Sequence, residues 1–451
     1  MSENRARANR SEGWQREVSP PAVASLLLGT LAISTAYGMI LLLPLYVREL
    51  GGDEASFGVI LSSAMVTAVL CIGLLIRYPE AMRPHAVVAL AITVYALGAT
   101  GAAFVSENWM PLIAIGVLLG TAWAVVYTAT PMVMSEMVTD ERRATYFGYL
   151  TGTQQVGIGV GPVLARFLVE TPLGFRGTFL AAGALGLVAV ALMVAVGFLT
   201  PDSRDQRSSE QAPATGSGEE PGAPFGEAIS QILRSEAAFS LVMILLFACL
   251  FTSLTQFQTT FAAARQLDYS VFYVTYTAAV LASRFGLARL VSRFEARLVI
   301  AASVSAMALS VSSFFIVGSS TLLYGMASAF VGLGYGLALP SVQAQAVNVS
   351  KQAIRPRVLP LAGLVFQAAM LGFPLIAGWI IAGLGYQALF AVLVTFALIQ
   401  AAVGWWRFSR QAGLVARTGV QRGLAGEEPQ GWSGTWTSSS LRSSGSEKNT
   451  A

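Results

Sequence analysis

From residue 22 onward the chain alternates between long apolar runs and short polar breaks. Six runs fall in the first half (22–47, 56–76, 84–105, 110–134, 144–169 and 175–199) and six in the second (237–262, 271–291, 298–317, 321–346, 356–382 and 386–408). Each holds the roughly 20 residues that cross about 30 Å of hydrocarbon. Backbone polar groups in lipid must be satisfied within the element, so each run is predicted as a helix. The expected fold class is an all-α membrane protein with 12 transmembrane helices in two pseudo-symmetric six-helix bundles.

The polar breaks set the domains. Residues 1–21 read as an N-terminal tail, 22–199 as one bundle, 200–236 as a linker, 237–408 as the second bundle and 409–451 as a tail. The linker is rich in Pro, Gly, Ser and Glu, the composition of a flexible tether. The final tail, ending WSGTWTSSSLRSSGSEKNTA, is of low complexity and expected to be disordered. The basic stretch Arg5, Arg7, Arg10 and Arg16 precedes a first run too long for a cleaved signal core, so that run is expected to stay as span 1.

Charge fixes the orientation. With the N-terminus inside, the inner loops carry Arg77 and Arg83, then Arg142 and Arg143, then Arg204, Arg207 and Arg234. They continue with Arg289, Arg293 and Arg297, and with Lys351, Arg355 and Arg357. The outer loops and helix ends hold only Arg48, Arg166, Arg176 and Arg265. This is the asymmetry of a multi-pass protein of the cell membrane with both termini cytoplasmic. Acidic Asp53, Glu54, Glu107 and Glu170 are expected outside, where they cost nothing.

Composition agrees. Hydrophobic residues make up 55% of the 451 and charged ones 12%, against roughly 25% charged in soluble domains. A net charge of +4, spread along the chain, gives no nucleic-acid partner. Cys71 and Cys249 lie in apolar runs of different halves and read as small packed hydrophobes. His85 is the one histidine, so no histidine-built metal site is expected. With no Gly-x-x-x-x-Gly-Lys loop for ATP, the reading is of no enzyme and no cofactor.

The halves repeat. Spans 4–5 hold, in order, Pro131, Arg143, Gln155 and Pro162, and spans 10–11 hold Pro340, Arg355, Gln367 and Pro374. Arg to Gln is 12 residues and Gln to Pro is 7 in both halves. The loop YPEA at 78–81 matches RFEA at 293–296. Parallel six-span repeats are a transporter architecture.

Span 5 carries Gly148, Gly157, Gly161 and Pro162, with Gly152 and Gly159 between. Glycines let a neighbouring backbone approach, and Pro162 removes a helix hydrogen bond and bends the axis. This spacing resembles the antiporter motif of drug and metabolite exporters in the major facilitator superfamily, departing from it where Ala165 and Arg166 replace paired glycines. The likeness covers residues 22–408. It implies a secondary transporter working by alternating access, most simply a monomer exporting small organic molecules, with protons as a candidate coupling ion. Uptake by symport or uniport of a neutral or anionic solute, and a transporter-like sensor or membrane partner, stay open as alternatives.

The family's inner-loop signature is degraded here to GLLIRYPE (73–80) and ARLVSRFEAR (288–297). Glu80 and Glu295 are therefore expected to take the role of its aspartate in a cytoplasmic gate with Arg83, Arg143, Arg293 and Arg355; the bland alternative is a solvated charged loop. Span 4 has Gly116 before Gly120 where proton-coupled relatives carry an arginine. Glu136 and Glu49, at span ends, are the acids left for coupling. Arg166 reads as an outer-interface residue reaching for headgroups. Arg284, some 13 residues into span 8, should face a cavity or a partner; an anion-binding or gating role and a snorkelling one are both open. The expected substrate cavity is Tyr37, Trp123, Tyr127, Gln155, Gln256, Tyr276, Arg284, Tyr335, Gln343 and Gln367. The repeat-related Gln155 and Gln367 are its centre, in an aromatic and amide lining suited to a small amphiphilic molecule.

Overall fold

The computed structural model describes residues 19–77, 83–200, 230–287, 293–350 and 355–424. Among these the chain is helical, with no strand. Span 1 divides into α1 (Pro20–Ile40) and α2 (Leu43–Glu49). Span 2 divides into α3 (Glu54–Ser62) and α4 (Met65–Arg77). There follow α5 (Pro84–Ala102), α6 (Pro111–Met137), α7 (Asp140–Val169) and α8 (Gly174–Leu199). The second half has α9 (Ala237–Gln256), α10 (Gln258–Ala264) and α11 (Tyr269–Leu281), then a π-helical stretch, Ala282–Leu287. It ends with α12 (Ala296–Ser313), α13 (Thr321–Asn348) and α14 (Arg355–Leu424), the last bent at Gly385.

The ends follow local chemistry. Proline opens α1, α5 and α6, where its missing N–H would have had no helical partner anyway. Asp53 and Asp268 cap α3 and α11 by accepting from Ser56 N (2.8 Å) and Ser270 N (2.9 Å). Span 1 breaks at Leu41–Leu42, just before Pro44, which cannot donate to the preceding turn. Span 7 breaks at Phe257 in the matching part of the other half. At Gly385 the backbone has φ 84°, a left-handed turn that glycine adopts without strain.

Among the described residues, eight helical segments are long and apolar enough to cross a membrane, the last being Val358–Arg410 with 53 residues, which covers two predicted spans. Three predicted spans are not among the eight. The first turn of α7 carries Asp140, Glu141, Arg142 and Arg143, α11 has only 13 residues before its π-helical stretch, and α12 is a shorter apolar helix. The terminal helix continues to Leu424, past the expected tail boundary at 409.

In the first half α1 packs on α7 and α8, with α5 between α6 and α8; in the second, α13 takes α9, α11 and α12. The halves meet where α7 lies on α11 and α2 on α10. They meet again where α3 abuts the last helix: a Cβ on Gly58 would stand 2.5 Å from the Pro374 carbonyl. Residues up to Trp405 form one compact unit. In the second unit, from Trp406, the Arg410 guanidinium lies 4.8 Å over the Trp406 ring.

Candidate functional site

The glycine-rich face of α7 makes a close helix contact. A Cβ on Gly161 would lie 2.5 Å from Gly38 Cα and from the Thr35 carbonyl, and one on Gly157 2.6 Å from Ser34 Cβ. Glycine at these points lets α1 and α7 touch backbone to backbone. Pro162 belongs to the same contact, beside Gly38. Gly152 and Gly159 meet side chains instead, Phe285 and Thr277 of the other half, while a Cβ on Gly148 would meet nothing within 4 Å. Five of the six residues of the motif region therefore divide between two partners, and Gly148 packs against neither. On α6, Gly116 and Gly120 face Ile60 and Ala64 of span 2.

Between the halves lies a cavity of about 40 Å³, lined among others by Tyr37, Tyr95, Trp123, Gln256 and Met370. The Tyr37 and Trp123 rings stack at 3.9 Å with planes 14° apart. Gln256 Nε2, from the second half, donates to the Tyr37 hydroxyl at 2.8 Å. One turn along α6 an aromatic wall begins. Tyr127 stacks on Phe366 (6.3 Å), Phe366 meets Phe251 (6.1 Å), and Phe251 stacks on Tyr335 (4.5 Å). Tyr335 also meets Tyr276 at 5.9 Å. Arg284 acts electrostatically on the Tyr127, Tyr276 and Tyr335 hydroxyls.

Gln155 lies beside Tyr276 of the opposite half. Gln155 and Gln367 are 5% and 2% exposed, and the amide nitrogen of each has no hydrogen-bond partner among the described residues. The Tyr276 hydroxyl and Arg284 Nε are in the same condition. Buried polar groups are ordinarily paired, and Gln155, Tyr276 and Arg284 form one electrostatic neighbourhood. Gln343 is half-buried on α13 without a hydrogen bond among the described residues. The hydroxyls of Thr35, Thr128 and Thr255 bond back to carbonyls four residues earlier and act as helix-internal polar groups.

A latch joins the halves that the sequence did not foreshadow. Glu54, expected outside at no cost, is 5% exposed. Its Oε1 pairs with Arg48 Nη2 at 2.5 Å and accepts from the Tyr386 hydroxyl at 2.9 Å. That hydroxyl is also 2.7 Å from Thr260 Oγ1, so the two halves are tied through one carboxylate. Arg166 is likewise no headgroup-seeking side chain: it pairs with Asp268 across the halves and with Glu170 at 3.4 Å. Ser62 Oγ donates to the Leu371 carbonyl at 2.7 Å, and Thr259 Oγ1 to the Leu41 carbonyl at 3.3 Å. All these ties lie toward the end bearing the 50–53 and 265–268 loops. An acid immediately after a capping Asp53 was the one signal available for Glu54.

Of the predicted cytoplasmic gate, Glu80 lies outside the described residues, as does the Arg355 side chain. Arg83, Arg143, Arg293 and Glu295 are exposed. Among the coupling candidates Glu49 is exposed and Glu136 half-buried. Cys71 and Cys249 are free thiols, and the described residues contain no cluster of metal-ligating side chains.

The sequence profile of the Major Facilitator Superfamily matches residues 25–371 and, in an overlapping second match, 271–443. The Multidrug resistance protein MdtG of Salmonella typhimurium strain LT2 is 29% identical over 166 residues, 36% of this chain and 41% of that protein. Its counterpart from Enterobacter lignolyticus is 30% identical over 169 residues, 36% and 40%. The chain thus spans about two fifths of the length of the curated relatives it matches. Two solved structures are similar in fold. A bacterial homologue of the human lysosomal transporter Spinster, in an inward-facing and unoccupied conformation, has TM-score 0.65 and 12% identity over 86% of this chain and 97% of that one. The nucleoside transporter NupG has TM-score 0.67 and 16% identity over 86% and 99%.

Proposed function

The chain belongs to the Major Facilitator Superfamily, and from that premise we propose that it exports small organic molecules across the cell membrane by alternating access. The observation that carries this reading is a cavity lined in part by Tyr37, Trp123 and Gln256 between two halves that the Arg48–Glu54–Tyr386 cluster ties together at one end. Twelve traversals are proposed: the eight apolar segments, with Val358–Arg410 counted as two across Gly385, plus α7, α11 with its π-helical stretch, and α12. The latched end is taken as the outer one, with both termini cytoplasmic, following the arginine asymmetry. Transport then requires this latch to open. Export, rather than uptake, is favoured by the multidrug resistance relatives and by the α7 motif.

Protons are the proposed coupling ion. Among the described residues Glu54 is the buried carboxylate, and it replaces Glu49 and Glu136 as the acid to test. The experiment measures accumulation of labelled amphiphilic compounds, sugars and amino acids in energised cells lacking their own efflux pumps. Cells with the protein should accumulate less of at least one compound, and a protonophore should restore it. Greater accumulation would mean uptake. No change across the panel, with no flux in proteoliposomes, would leave the transport reading without support and favour a sensor.

A further inference from the structure

Arg284 is a charged side chain inside a predicted span, half-buried, with its field reaching tyrosines of the aromatic wall. The residue sits inside the π-helical stretch Ala282–Leu287. Such stretches are rare, cost helix hydrogen-bond geometry, and occur often at functional sites. This one widens the helix where the next residue, Phe285, packs against Gly152 of the other half. The guanidinium acts on three tyrosine hydroxyls from three different helices, Tyr127, Tyr276 and Tyr335.

No carboxylate answers this charge. Arg284 makes no ion pair or hydrogen bond among the described residues, and its Nε is buried without a partner. The arginines of the opposite end differ: Arg48 holds Glu54, and Arg166 holds Glu170 and Asp268. A charge kept in a membrane span without a counter-ion is expensive and ordinarily faces a cavity with a task. Snorkelling does not account for a guanidinium whose Nε is buried.

We propose that the carried substrate is an amphiphilic organic anion, its carboxylate, sulfonate or phosphate held by Arg284 and its apolar body laid on the wall of Tyr127, Phe366, Phe251 and Tyr335. The inference rests on the transport reading above and names the substrate class for that same site. A planar guanidinium offers paired donors that match a carboxylate or phosphate. The Gln155 amide beside Tyr276 supplies a further donor. The aromatic faces take an apolar body without demanding one shape. The anion would supply the counter-charge that the protein withholds, so a neutral isostere would leave the Arg284 guanidinium unpaired, the costly case.

The test uses the full-length protein and matched pairs: 1-naphthaleneacetate with 1-naphthaleneacetamide, and two further aryl-alkyl carboxylates and one sulfonate, each with its neutral amide. Binding to purified protein and flux in proteoliposomes are both measured. Each anion should be preferred over its amide by about tenfold or more, the usual size of a charge-assisted hydrogen bond. Arg284→Gln should remove that preference, chiefly by weakening the anions, whereas Arg284→Lys should keep part of it. Equal handling of anion and amide by the wild type overturns the proposal. So does an Arg284→Gln variant, folded by its melting profile, that slows both members alike, since that is the behaviour of a gate. If no pair member binds or moves while cationic or neutral compounds of the wider panel do, the anion class falls and the transport reading stands. If nothing moves in either panel, both fall.

Discussion

At the scale of single residues, what counts is whether a polar group has a partner and where that partner sits. Tyr37 and Gln256 come from different halves and meet at 2.8 Å inside the membrane region. Hydrogen bonds between membrane helices average about 0.6 kcal/mol, with a maximum near 1.7. A double-mutant cycle of Tyr37→Phe and Gln256→Leu, read by thermal unfolding in detergent, should return a coupling energy in that range. Asp53 supplies a pH test outside the spans. The Ser56 backbone N–H, with its hydroxyl, holds the Asp53 carboxyl below its ordinary value. A depressed carboxyl stabilises the cap above the unfolded value of about 3.9 and loses that contribution as pH falls through the folded value. Asp53→Ala should cost about 1 kcal/mol at neutral pH, and its difference from wild type should shrink below about pH 4.

At the scale of helices, α7 shows how a spacing in the sequence becomes a contact. Glycines at 157 and 161 and the proline at 162 stand out in the sequence itself, and they do form the close face. Which of the glycines touch backbone is not legible there, because that depends on the register against α1. Gly161→Leu should overpack the Gly38 contact, lowering thermal stability by about 1–3 kcal/mol and abolishing transport. Gly148→Ala, with open space around it, should stay within about 0.5 kcal/mol of wild type. The apolar runs located the helices well, since length and composition alone fix a membrane span. They did not show that spans 1, 2 and 7 are broken, although Pro44 was a visible cause for the first. Arg166 and Glu54 were misread for a common reason. Distance along the chain set an expected depth for each but said nothing of Asp268, Arg48 or Tyr386, which approach from other helices.

At the scale of the molecule, the repeat of Arg143, Gln155 and Pro162 with Arg355, Gln367 and Pro374 made the two-half plan legible. The latch was not, because its members obey no repeat: Glu54 and Arg48 come from one half, Tyr386 and Asp268 from the other. Glu54→Ala leaves Arg48, itself 39% exposed, free to hydrate, so the loss should appear as a change of state more than as unfolding. A cysteine placed at Leu41, on a background lacking Cys71 and Cys249, should react several-fold faster with a membrane-impermeant maleimide from the outer side once Glu54 is Ala. An unchanged rate would mean that the latch does not hold the two halves.

The latch also bears on speed. A carrier turns over no faster than it visits its rarer orientation, and the population of that orientation falls tenfold for each 1.4 kcal/mol by which the other is favoured. In the Arg48–Glu54–Tyr386 cluster the carboxylate is 6% exposed, whereas every member of the Arg166–Asp268–Glu170 set is a third or more exposed, and buried pairs are screened much less than exposed ones. Raising salt on the outer face alone should therefore loosen the second set more than the first and quicken the outward swing, making ionic strength on one side of the membrane a throttle on turnover.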